Sequence, residues 1–358
     1  MTWDFIKVLL PITLTFFIGI LITPIVTHFL YKYKLWKKSA GKTDTQGNST
    51  PIFNQLNQDK EVGTPRMGGL VIWISVLITV LLFMILSVFL PETVFNKLDF
   101  LSRNQTWIPI VCLIIGALVG LIDDIMEIVG SRKSVTGGLS FKTRLSIVTL
   151  IAIFVSYWFY SKLGVTAIGL PFTEIDWNVG WLLIPIFAIL MIVVYTGGVI
   201  DGIDGLSGGV FSIMFSAYGI IAFSMGQINL AALCGAIVGG VLAFLWFNIP
   251  PARFYMTETG SMALTVTLVV VALMTDKIVE GVGLFVLPVI SLPLIVSGVS
   301  SVAQIASKKF RNGKKILRAA PLHLHLQAIG WPSYKVTMRY WVITTILAFI
   351  GIMIVLIS

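Results

Sequence analysis

The chain has 358 residues, 57% of them hydrophobic and 11% charged, with a formal net charge of +9 and a mean hydropathy of +0.95. Such values exclude an ordinary soluble domain and place the chain in a bilayer. The positive charge reads as a topological signal plus affinity for anionic lipid headgroups, which argues against nucleic acid as a partner.

Ten apolar runs have about the 17 to 25 residues needed to cross hydrocarbon. They cover residues 6–30, 68–90, 107–122, 145–161, 180–199, 209–225, 230–248, 261–275, 284–305 and 340–358. The first lacks a small-residue cleavage site and is expected to stay as a helix. The expected fold is therefore an all-α integral membrane protein of ten transmembrane helices, one polytopic domain over residues 1–358. Of the 25 Lys and Arg residues, 20 fall in the connections 31–67, 123–144, 249–260 and 306–339, on the same side as 200–208. Basic residues stay cytoplasmic, so both termini are expected outside. Cys112 and Cys234 fall inside spans as small hydrophobes and suggest neither a disulfide nor a thiolate metal site.

The outer connections read as simple caps, whereas the inner ones carry the chemistry. In chain order they hold GTPRMGG (63–69), IDDIMEIVG (122–130), GGLSFKTR (137–144), IDGIDGLSGG (200–209), FNIPPARFYMTETGS (247–261) and RAAPLHLHLQAIGW (318–331). No Asp, Glu, Lys or Arg sits in the middle of a span. That argues against the alternative of a lipid or solute transporter, whose ionisable residues usually interrupt helices near the midplane.

Three inner connections bring acids: Asp123 with Asp124, Asp201 with Asp204, and Glu258. Carboxylates are the hard ligands Mg²⁺ takes, one or two at a time, beside water and substrate phosphate. Asp201 and Asp204 are three apart and share a face if their segment is helical. Gly202 and its neighbouring glycines let backbone approach a ligand, although close helix packing accounts for glycines equally well. His323 and His325, two apart after Pro321, fit a loop better than one helix face, with phosphate, carboxylate or metal as partners. Lys60, Arg66, Lys142 and Arg253 could pair phosphate oxygens, and the positive-inside bias accounts for each alone. Phe254 and Tyr255 offer a stacking surface for a base, or an interfacial aromatic belt.

KEVGTPRMGG, LIDDIMEIVG, GGLSFKTR, DGIDGLSGG, FNIPPARFYMTETGSMAL and PLHLHLQAIGW, in this order and spacing, resemble the phospho-N-acetylmuramoyl-pentapeptide transferase family of bacteria, within the polyprenyl-phosphate N-acetylhexosamine-1-phosphate transferase superfamily. GTPRMGG and the QAIGW ending favour the muramoyl-pentapeptide branch. The resemblance implies a Mg²⁺-dependent phosphoglycosyl transferase of peptidoglycan synthesis in the bacterial plasma membrane, with its active site cytoplasmic. Its substrates would be undecaprenyl phosphate and UDP-N-acetylmuramoyl-pentapeptide, its products lipid I and UMP. A UDP-N-acetylhexosamine is the alternative donor, and a homodimer is an assembly open to it.

Carried over by position, the resemblance makes Asp123, Asp124, Asp201 and His323 catalytic, and Glu258 with Asp124 the metal ligands. It assigns Lys60, Asp204, Asn248 and Tyr255 to substrate, and Lys142, Gly202 and His325 join them as substrate-binding candidates from their place on the same inner connections. The chain departs from the family pattern at Glu258, where an aspartate is expected, at Glu127 for a lysine, at Tyr195 and Gly198 for asparagines, at Leu324 for a histidine and at Gln327 for a glutamate. It reads as a divergent member.

Overall fold

The computed structural model describes residues 2–37, 62–129, 138–173, 176–277 and 281–358, excepting the side chains of Asp176 and Lys277. Among these residues are nine helices long and apolar enough to cross a membrane, and a bent helix pair that makes a tenth crossing if counted as one span. The all-α, ten-span expectation is borne out.

The long helices are α1 (Thr2–Lys32), α2 (Gly69–Phe89), α4 (Trp107–Val129), α5 (Phe141–Leu163), α6 (Leu183–Thr196), α7 (Leu206–Ser224), α8 (Ile228–Asn248), α9 (Thr257–Lys277) and α13 (Ser333–Ile357). A short helix, α3 (Val94–Leu98), lies in one connection at the end of the bundle away from the acids. Another connection at that end folds into a two-stranded antiparallel ladder, Ala167–Gly169 against Asp176–Asn178. Sequence reading missed this ladder, three residues per strand being too short for a period-two pattern.

The ninth run, 284–305, is broken. Residues Gly283–Ile290 (α10) and Leu292–Phe310 (α11) meet at 62° instead of forming one straight span. Pro293 in the first turn of α11 has no N–H to continue the ladder from α10. Ser291 spans the corner, its hydroxyl donating to the Leu287 carbonyl at 2.6 Å.

Between helices in lipid, close packing rather than water exclusion does the joining, and small residues permit it. A methyl group on Gly19 of α1 would collide with Ala243 of α8, and one on Gly239 of α8 with the Ile12 carbonyl of α1. Thr15 and Thr79 add a buried hydroxyl bond at 2.8 Å between α1 and α2. α9 is enclosed by α2, α4, α6, α7 and α10. On α4, Gly116 and Gly120 press against the α9 backbone at Ala263 and Glu258.

Helix ends extend beyond the apolar runs. α4 continues through Val129, so Asp123, Asp124 and Glu127 stand on its last turns and not in a loop. α5 begins at Phe141, where Ser140 caps it by accepting from the Thr143 amide, so Lys142 and Arg144 lie in its first turns. Hydropathy marks where the chain leaves hydrocarbon, whereas the backbone ladder runs on until a cap ends it.

Candidate active site

The N-terminus of α9 organises one end of the bundle. A helix start leaves amide donors without intrahelical partners and carries partial positive charge, and here acids from two distant segments satisfy them. Asp201 Oδ2 accepts from the Thr257 amide at 2.7 Å. Asp124 Oδ2 accepts from the Thr259 amide at 2.9 Å, the Thr259 hydroxyl at 2.6 Å and the Thr257 hydroxyl at 2.5 Å. Thr257 is held at φ 54°, a left-handed conformation unusual for a β-branched residue, by these bonds and by the Met67 amide, which donates to its hydroxyl at 3.0 Å.

The GTPRMGG segment docks beside it as a backbone pair. The Tyr255 amide donates to Pro65 O at 2.9 Å, Gly68 to Tyr255 O at 2.7 Å and Gly69 to Met256 O at 3.2 Å. Gly68 and Gly69 are required here, because a Cβ on either would overlap Phe254 or Gly260. This docking aims Arg66 at α4: its Nη2 lies 2.7 Å from Glu127 Oε2 and 3.5 Å from Asp124 Oδ1. Lys37, beyond the end of α1, reaches Glu127 Oε1 at 3.2 Å.

On the other side of the acids, Arg144 Nη1 lies 2.6 Å from Glu258 Oε1 and 3.4 Å from Asp123 Oδ2. Asp123 Oδ1 accepts from the Leu139 amide at 2.7 Å. Asp123, Asp124, Asp201, Glu127 and Glu258 thus face Arg66, Arg144 and Lys37 among the described residues, five carboxylates against three cations. Burial pushes the Asp201 carboxyl above its ordinary value, against hydrogen bonds from Ser207 and Thr257 and the charge of Arg66. Burial alone would lower Arg66, yet Glu127, Asp124 and Asp201 raise it above its ordinary value, so it stays charged.

The carboxylate oxygens are not equally committed. Asp124 Oδ2, Asp123 Oδ1 and Glu258 Oε1 each have short partners. Among the described residues Asp124 Oδ1, Asp123 Oδ2 and Glu258 Oε2 have contacts of only 3.4 to 3.5 Å. Carboxylate ligand atoms of Asp123, Asp124 and Glu127 lie within 4.8 Å of one another. Hard oxygens in excess of neighbouring positive charge fit a divalent cation such as Mg²⁺.

The DGIDG segment is a turn and not the helix face considered from sequence. α6 passes through a 3-10 turn, Gly197–Ile200, and α7 starts after Gly205 at φ 77°. Asp201 Oδ1 accepts from Ser207 Oγ at 2.7 Å. Asp204 is buried and its Oδ2 faces the Ala252 amide at 3.4 Å. Asn248 ties this turn to the next connection, Oδ1 accepting from the Gly205 amide and Nδ2 donating to Phe254 O, both at 2.9 Å. Tyr255 is half-buried beside Phe254, which packs on Phe244 and Phe247.

The two histidines part company. They sit on a short helix, α12 (Leu322–Ala328), not in a loop. Two residues apart on a helix they point about 200° from each other. His323 is fully buried against the DGIDG turn, where a methyl on Gly202 would stand 2.8 Å from its Nε2. His325 points the other way and accepts from the Arg318 amide through Nδ1 at 3.2 Å. Lys142 is exposed, and Lys60 lies outside the described residues.

Lys37, Glu127 and Arg144, all at the acids, went unassigned from sequence. Glu127 follows Asp123 by four and Asp124 by three, the spacing of one helix face, a signal that appears only if α4 is continued past residue 122. Arg144 falls two residues after Lys142 and becomes the inward cation once Ser140 is recognised as the cap.

Residues 106–276 match the family model described as glycosyl transferase family 4. Over 349 residues the chain is 31% identical to the phospho-N-acetylmuramoyl-pentapeptide-transferase of Geobacillus sp. (strain WCH70), covering 96% of both chains. It is 30% identical to the protein of that name from Bacillus subtilis (strain 168), over 96% of this chain and 97% of the relative. It is also 30% identical to that of Listeria monocytogenes serovar 1/2a, over 95% of this chain and 96% of the relative.

Proposed function

The chain belongs to the phospho-N-acetylmuramoyl-pentapeptide-transferase family, and from that premise we propose that it makes lipid I for peptidoglycan synthesis at the cytoplasmic face of the bacterial plasma membrane. An oxygen of undecaprenyl phosphate attacks the sugar-linked phosphorus of UDP-N-acetylmuramoyl-pentapeptide. The bond from that phosphorus to the bridging oxygen breaks, and UMP leaves with the electron pair.

The observation that carries this reading is the convergence of carboxylates from α4, the DGIDG turn and α9 with two arginines at one end of a membrane bundle. One substrate is a lipid and the other is soluble, so the reaction requires an interfacial site. Both are polyanions, and bringing them together requires positive charge at the reacting phosphates.

Asp124 and Glu258, each with a loosely held oxygen, are the residues that would hold Mg²⁺, with Asp123 beside them. When bound, Mg²⁺ would neutralise phosphate charge and polarise the transferring group. Asp123 positions or deprotonates the lipid phosphate. Arg144 compensates charge between Asp123 and Glu258, and Asp201 and Asp204 fix the turn that orients the donor. Tyr255 offers its ring to uracil, and His323 braces the turn from beneath.

The test uses purified protein with undecaprenyl phosphate and Mg²⁺, with UDP-N-acetylmuramoyl-pentapeptide and a UDP-N-acetylhexosamine in parallel. UMP release with the muramoyl donor, and its loss in Asp124→Asn, is expected. Release that persists unchanged in Asp124→Asn would remove the metal-site argument. Release with the hexosamine donor alone would change the substrate, and uridine-ligand binding without turnover in any metal would replace the enzyme by a binding protein.

A further inference from the structure

Glu127 stands in the acidic group and yet differs from its neighbours in how its oxygens are used. Oε1 is held by Lys37 at 3.2 Å and Oε2 by Arg66 at 2.7 Å. Asp123, Asp124 and Glu258, by contrast, each keep an oxygen whose described contacts are no shorter than 3.4 Å. A carboxylate with both oxygens committed to cations is a poor candidate for a cation's ligand set, whatever its proximity.

Arg66 is correspondingly fixed. Its amide donates to Leu35 O at 2.9 Å, and the next residue is bonded to Thr257, which in turn donates to Asp124. The same Nη2 that pairs with Glu127 faces the loosely held Asp124 Oδ1 at 3.5 Å. Among the described residues the Arg66 Nε is sealed from solvent with no hydrogen-bond partner, and its guanidinium is placed there by two carboxylates.

We propose that Glu127 is the anchor of Arg66 and not a metal ligand, and that Arg66, so held, is a positioning residue that sets the orientation and charge of Asp124. Position 127, where the family resemblance leads one to expect a lysine, here carries an acid whose role is to fix a cation supplied from GTPRMGG. This rests on the reading that the acids hold a divalent ion.

Removing Arg66 takes away a positive charge and releases a carboxylate, so divalent affinity rises. Removing Glu127 takes away a negative charge, so affinity falls. If Glu127 acts only through charge, removing both restores the starting value. If it is a ligand, the double variant stays weak.

The experiment measures Mn²⁺ binding by electron paramagnetic resonance on the full-length protein in detergent, for wild type, R66Q, E127Q, R66Q/E127Q and R66K, without substrate. R66Q should bind about tenfold more tightly and E127Q about tenfold more weakly, the order expected for a unit charge several ångströms away in a half-buried site. R66K should match wild type, and the double variant should return to within about twofold of it. A double variant as weak as E127Q would make Glu127 a ligand and overturn the proposal, leaving the metal reading intact. Unchanged binding in R66Q would also overturn it. No Mn²⁺ binding by folded wild type would overturn the metal reading and this proposal together. Should R66Q fail to fold, E127Q against the reversed pair R66E/E127R decides in the same way: recovery in the reversed pair supports the anchor, and no recovery rejects it.

Discussion

Gly120 of α4 lies against the backbone carbonyl of Glu258 in α9, so close that a methyl group on Gly120 would overlap it. One contact therefore fixes the separation of the helix that carries the aspartate pair from the helix that carries Glu258. Gly120→Ala should push α9 outward. Overpacking of this kind destabilises by about 1 to 3 kcal/mol, and transfer should fall further than the loss of stability accounts for. Thermal unfolding and UMP release measured on the same preparation check this, and wild-type values in both would show that α4 and α9 separate freely here.

Glu258 is linked to Arg144 across helices, 2.6 Å apart. Glu258→Asp shortens the side chain by about 1.5 Å, loosening that link while keeping a carboxylate at the acids. Transfer should be preserved or raised in Glu258→Asp and abolished in Glu258→Ala. Equal activity in wild type and both variants would show that Glu258 holds no metal.

Asn248 uses both ends of its amide, accepting from Gly205 and donating to Phe254. Asn248→Asp keeps the acceptor but sets an oxygen against the Phe254 carbonyl, and Asn248→Ala loses both bonds. Each should cost about 1 to 3 kcal/mol through unsatisfied buried groups and raise the KM for the UDP donor, since both segments it joins bear donor-side residues. Donor KM at saturating lipid substrate is the measurement, and an unchanged value in Asn248→Asp would leave Asn248 with a packing role alone.

The backbone of Tyr255 bonds to Pro65 and Gly68 of the GTPRMGG segment, and its ring is the part a base would stack on. If it stacks on uracil, Tyr255→Ala should weaken UMP binding by about 1 to 3 kcal/mol, and Tyr255→Phe should restore it. Calorimetric titration with UMP reads this directly. No loss in the alanine variant would return the ring to the interfacial belt.

The spans and the acids were legible in the sequence because hydropathy and carboxylate chemistry act locally. The break at Ser291 and Pro293 was missed although Pro293 marks it, since hydropathy counts the length of an apolar run and not the ladder bond that a proline removes. Asp124 and Asp201 were readable as acids, but their common task of capping α9 depends on contacts between residues 133 and 56 positions apart. Arg144 and Glu127 were hidden by span boundaries drawn at the edge of hydrocarbon. Lys142, the more obvious cation of the same segment, is exposed.

His323 and His325 were assigned together from sequence, and the helix that bears them separates their roles. His323 is fully buried beside Gly202, one residue from Asp201, whereas His325 secures the backbone at Arg318. His323→Ala should lower kcat by about a hundredfold, the cost of a small misplacement of reacting groups, and His325→Ala should leave it within about twofold, since its described bond is to the Arg318 backbone. Because His323→Ala also opens a buried space, Gly202→Ala serves as the second probe: it crowds His323 without removing it and should lower kcat while the imidazole remains. Thermal unfolding of each variant separates misfolding from lost function. Equal losses in the two histidine variants, or full activity in Gly202→Ala, would mean that the inward imidazole has no privileged relation to the aspartate turn.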